Sequence, residues 1–89
     1  MTKDEFAKLR DGQMLVLQDG FDKKAIAFHE YLYFPENGLY RYGGGSYDVS
    51  CFRLPTRLDL DEAMAESDER HMEEVRSLVR AYRLACENQ

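Results

Sequence analysis

The chain has no tryptophan, two cysteines, two histidines and two prolines in 89 residues, and no apolar run long enough to cross a bilayer. Each shortage excludes something. Two cysteines do not make a disulfide framework, and Cys51 in a strand-like run and Cys86 in a helical run both sit where a small apolar residue would serve, so they are read as reduced thiols. A zinc site would have to draw on Cys51, Cys86, His29 and His71, but these four are far apart in sequence, whereas structural zinc sites use closely spaced ligand pairs. No metal is expected. The opening residues Met1-Thr2-Lys3-Asp4-Glu5 show no apolar stretch behind a basic start. A cytoplasmic protein with no membrane contact is the expectation, as one domain spanning residues 1–89 without linker or repeat.

Catalytic spacing is missing as well. Cys51, His29 and Glu30 are the one set that offers a nucleophile, a base and an orienting group, and strand alternation puts His29 and Glu30 on opposite faces. The run Gly43-Gly44-Gly45-Ser46 resembles a phosphate cradle in composition, yet no helix start or lysine follows it. It reads as a hairpin loop, and the chain as a non-enzyme without a cofactor.

What is present is charge, unevenly placed. Residues 1–58 carry eight basic and eight acidic side chains, 59–74 carry one basic and eight acidic, and 75–89 carry three basic and one acidic. The largest patch of one sign is therefore acidic, and binding to nucleic acid through its phosphates needs the opposite. Direct nucleic-acid binding is not expected.

The hydrophobic pattern divides the chain in the order α-β-β-β-β-α. Thr2 and Glu5 form a capping-box pattern ahead of Phe6 and Leu9, which predicts a short helix over 3–10 that Gly12 stops. Residues 13–18 are apolar on both faces, as a central strand would be. From 24 to 34 an aromatic and β-branched run predicts a second strand, with Ile26, Phe28, Leu32 and Phe34 on one face and Ala27, His29, Tyr31 and Tyr33 on the other. Pro35-Glu36-Asn37-Gly38 is a tight turn that sets Phe34 opposite Leu39, and Leu39 to Tyr42 is the returning strand. Residues 47–54 form a fourth strand ended by Pro55. The expected fold class is α+β: a four-stranded antiparallel meander, open or rolled into a small barrel, with a short N-terminal helix and a long C-terminal amphipathic helix packed on it.

That long helix is expected over 59–87, with Asp59 as its cap and Glu62 completing the box. One face collects Leu60, Met64, His71, Val75, Leu78, Tyr82 and Ala85, and His71 is expected to be a buried structural residue. The opposite row is Glu62, Glu66, Glu69, Glu73, Arg76, Arg80, Arg83 and Glu87. A straight helix of 29 residues spans about 43 Å. A compact domain of this length is roughly 31 Å across. The overhang would need cover, either a kink at Ser67-Asp68 or a second copy whose arginines oppose these glutamates, so a homodimer through this helix is an expectation.

Two surfaces offer themselves for binding. The like-charged row Glu62, Glu66, Glu69 and Glu73 repels itself and suits a basic partner protein, such as a nucleic-acid-handling protein whose groove a small phage-type or mobile-element-type inhibitor would occupy. The meander holds more tyrosines than one sheet face needs, with Tyr31, Tyr33, Tyr40 and Tyr42 as candidate contacts and Tyr47 beside them. The alternative use of that face is nucleic-acid or small-ligand binding, with Arg41 and Arg53 supporting base stacking.

Overall fold

The structure is a computed structural model that describes residues 1–66 and 72–87. Thr2 caps helix α1 (Lys3–Ala7) through the expected reciprocal box: the Glu5 N–H donates to Thr2 Oγ1 at 3.2 Å, and the Thr2 N–H donates to Glu5 Oε1 at 2.9 Å. The helix stops three residues short of Arg10. Its one buried side chain, Phe6, is 1% exposed and meets Phe28, Tyr33, Tyr40 and Phe52 at ring-centroid distances of 4.8 to 5.8 Å. Those spacings are the edge and tilted geometries that aromatic quadrupoles favour.

Strand β1 (Met14–Asp19) is central, as its two apolar faces require. It pairs antiparallel with β2 (Asp22–Ala27) on one side and with β6 (Phe52–Arg53) on the other. Leu15 and Leu17 point to the aromatic core that Phe6 occupies, whereas Met14 points the other way, to Leu60, Ala81 and Ala85. One strand thus divides two cores.

The four-stranded meander is not what forms. The expected strand over 24–34 ends at Ala27, and a 3₁₀ turn (Glu30–Leu32) leads into β3 (Tyr33–Phe34) of a second sheet, in the order β3-β4-β5, with β4 at Leu39–Tyr42 and β5 at Gly45–Asp48. Side chains from elsewhere in the chain cause the break. The His29 N–H donates to the Tyr40 hydroxyl and the Glu30 N–H to Asp11 Oδ1, each at 2.9 Å, so side chains take amides that a continuous ladder would use. The expected strand over 47–54 breaks in the same manner. The Asp48 carboxylate accepts from the Ser50 N–H at 2.9 Å and caps a 3₁₀ turn (Val49–Cys51) between β5 and β6. Two three-stranded antiparallel sheets result, sharing one core, and they do not close into a barrel.

The turn at 35–38 pairs Phe34 with Leu39 as expected. Only Gly38 takes positive φ, at +64°, and the Lys3 side chain lies across it where a Cβ would clash. The glycine-rich connection is shorter than expected: Gly43 and Gly44, both at positive φ, form a two-residue turn, and Gly45 and Ser46 belong to β5.

The single helix over 59–87 is corrected to two, α2 (Arg57–Glu66) and α3 (Met72–Glu87). Asp59 does not cap α2; Thr56 stands three residues ahead of it, and the two form a reciprocal box of their own. The Thr56 N–H donates to Asp59 Oδ2 at 2.7 Å and the Asp59 N–H to Thr56 Oγ1 at 3.4 Å. Tyr82, late in α3, lies within electrostatic reach of Arg57 and Asp61 at the start of α2, and Leu60, Met64, Leu78, Val79, Tyr82 and Ala85 share one cluster with Met14. The helices therefore run antiparallel across β1. Helices of 10 and 16 residues span about 15 and 24 Å. Both fit a body of 40 × 27 × 21 Å, which removes the overhang from which a dimer was argued. His71 and Glu69, and the Ser67-Asp68 kink, lie outside the described residues. No helix among the described residues is long and apolar enough to cross a membrane.

Candidate functional site

Residues paired directly across antiparallel strands share a face. In the second sheet one row is therefore Tyr33, Tyr40 and Tyr47, and the next is Tyr42 and Gly45. These rows face inward. Tyr40 is wholly buried and stacks on Phe28 at 5.4 Å, Tyr33 rests on Phe6, and Tyr47 meets Phe52 edge-on at 6.4 Å. Burial raises the Tyr40 hydroxyl above its ordinary pKa. Tyr42 is half-buried beneath the Lys24 ammonium, which stands 5.6 Å from the ring centroid. Of the four candidate tyrosines only Tyr31 is broadly exposed, at 76%, stacked on His29 at 5.6 Å. Tyr40 thus drops out of any contact surface.

The other face of this sheet carries Phe34, Leu39, Arg41, Ser46 and Asp48. Phe34 is 41% exposed, and the Arg41 guanidinium lies 5.5 Å from its ring centroid, within the range of cation–π attraction. Open clefts flank Arg41. One of about 420 Å³ is lined by Leu32, Tyr42 and the 43–46 turn, the other of about 250 Å³ by Phe34, Asn37 and Leu39, and both include Arg41 and Ser46. Among the described residues Arg41 has no acidic partner. From Tyr31 to Tyr47 the only charged side chains are Glu36 and Arg41.

Comparison with protein-family models, curated proteins and solved structures finds no match for this chain.

Arg53, the other arginine expected to serve a ligand, is engaged within the fold. Its guanidinium donates to both carboxylate oxygens of Asp59, at 2.7 and 2.8 Å, and to Gln18 Oε1 at 3.0 Å. Asp59 is 4% exposed, and besides Arg53 it takes the Thr56 N–H and hydroxyl and the Lys23 ammonium at 3.3 Å. The Arg53 guanidinium foremost, then Thr56 and Lys23, hold the Asp59 carboxyl far below the usual carboxylate range. Lys23 also pairs with Glu62 at 2.6 Å, which raises its pKa. Glu62 of the acidic row is thereby matched by its own chain, and Glu66 lies near Lys24. Glu66 and Glu73 are exposed.

Cys51 sits half-buried in its 3₁₀ turn, Cys86 is exposed on α3, and His29 lies beside Asp11, with Nδ1 4.0 Å from the carboxylate. The side chain that sequence reasoning misplaced is Phe34. Strand alternation through 24–34 set it on the buried side with Ile26 and Phe28, but the 3₁₀ turn at Glu30–Leu32 shifts the parity, and Tyr33 goes inward instead. The signal was in the partner strands: Arg41, Ser46 and Asp48 alternate with tyrosines, and Phe34 pairs into the polar row through Leu39.

Proposed function

We propose that this chain is a non-catalytic protein-binding module whose contact surface is the outer face of β3-β4-β5. The observation that carries the reading is Arg41: an exposed guanidinium beside an aromatic ring, without an acidic partner among the described residues, lining two clefts in the least charged stretch of the chain. Protein interfaces favour this composition, since aromatic residues and arginine are enriched there while other charges are depleted. An inhibitor docking its acidic helix on a basic groove draws on Glu62, Glu66 and Glu73, and the pairing of Glu62 with Lys23 lowers the field such a strip offers. Base stacking draws less support still, with the tyrosine rows turned inward and Arg53 bound to Asp59.

A photo-crosslinking residue placed at Ser46, and separately at Arg80 on the exposed side of α3, tests the choice of surface in cells that make the protein. Position 46 is expected to capture one protein and position 80 none. Capture from position 80 alone contradicts the reading.

A further inference from the structure

Resting on that reading, we infer that the second sheet's outer face recognises an extended segment of a partner protein in which an acidic side chain is flanked on both sides by apolar ones. The acid answers Arg41. Lys23 and Arg53 have acidic partners within the fold, and Lys24 hydrogen-bonds with Tyr42 with Glu66 nearby, whereas exposed Arg41 has the Phe34 ring beside it and no acidic partner among the described residues. Guanidinium and carboxylate match as a planar two-point pair. The flanking apolar residues answer the clefts. Leu32 and Tyr42 line one, at the turn end of the sheet, and Phe34 with Leu39 the other, and Arg41 belongs to both, so a carboxylate set on the guanidinium has apolar walls within reach of its neighbours. In an extended segment alternate side chains share a face at a spacing of about 6.6 Å, so residues two positions to either side of the acid are the ones placed on the same face to meet those walls.

The glycine turn fits this use. Gly43 and Gly44 have nothing within 4 Å of where a Cβ would stand, so the rim of the larger cleft is bare backbone that a passing segment can approach closely. The rest of the molecule selects against other acidic surfaces, because the chain carries a net charge of −5 and Asp48 stands on the same face as Arg41. Only a segment that also fills the clefts overcomes that background.

A random peptide library displayed on phage and selected on the immobilised full chain tests this. Enriched peptides are expected to carry Asp or Glu with apolar residues on both sides. Arg41→Glu should weaken them at least tenfold, Phe34→Ala should weaken them by a similar factor, and Arg80→Glu should leave them unchanged. Peptides that lose binding with Phe34→Ala but carry no acid, or are indifferent to Arg41→Glu, overturn the acid while leaving the face as the contact surface. Peptides insensitive to both substitutions overturn the inference and the surface together. Failure to enrich any peptide overturns the inference, and so does a self-association, seen by sedimentation, that Arg41→Glu abolishes, since the face then belongs to a second copy.

Discussion

Two arginines, one in each sheet, are put to opposite uses. Arg53 lies at the first sheet's helix side, where a nearly buried carboxylate, two strands and the start of α2 meet, and each of its strongest donors is satisfied inside the chain. Arg41 lies on the second sheet's outer side, beside a ring and without an acidic partner among the described residues. The residues are chemically identical, so the difference is one of surroundings. A charge desolvated beside its counter-charge is destabilising to disrupt, because the partner is left buried and unmatched. A charge kept in water contributes little to folding and is available for a partner. The first sheet's helix side is therefore built for stability, and the second sheet's outer face for contact.

The substitution with the largest expected effect is Asp59→Ala. It removes the carboxylate that Arg53, Lys23 and Thr56 share and opens the Thr56 box, and about 3 kcal/mol of unfolding free energy should be lost in urea titration. If the loss comes from unmatched charge, Asp59→Leu combined with Arg53→Met should recover much of it. A double variant no better than Asp59→Ala would mean that the box, not the ion pair, matters.

Acid sharpens the same contrast. The folded Asp59 carboxyl titrates below its unfolded value of about 3.9, so its contribution is complete above that pH and declines as pH falls toward the folded value. Between pH 5 and pH 2 the parent should lose more stability than Asp59→Asn, measured by urea midpoints at each pH. Parallel curves would show that the network does not stabilise the fold.

Smaller effects follow within the second sheet and on α2. Tyr40→Phe keeps the ring in the core but removes the acceptor for the His29 N–H, at a cost of about 1 kcal/mol in urea titration. Glu62→Gln, which alters only the exposed end of the Lys23 bridge, should leave the urea midpoint within error of the parent.

Local pattern made some of this legible in the sequence. The Thr2–Glu5 box, the two apolar faces of β1 and the turn at 35–38 depend on residues close together in the chain, and each forms as read. The break after Ala27 depends on Asp11 and Tyr40, 19 and 11 residues from the amides they take, so no local window contains it. Asp59 was read as the cap of its helix for another reason: Thr56–Asp59 and Asp59–Glu62 are overlapping box patterns, and the one that forms is Thr56–Asp59, with Arg53 and Lys23 on the same carboxylate. On the candidate face, Arg41 was legible as a charge among aromatics. Its separation from Arg53 was not, since that follows from the division of the strands between two sheets.

The most direct test of this division is urea unfolding of Arg41→Ala beside Arg53→Ala under one set of conditions. Arg41→Ala should lie within about 0.5 kcal/mol of the parent, as an exposed position away from buried networks does. Arg53→Ala should lose about 2 kcal/mol, because Asp59 is left buried with Lys23 as its remaining cation. Equal losses at the two positions, or a larger loss at Arg41, would contradict the account.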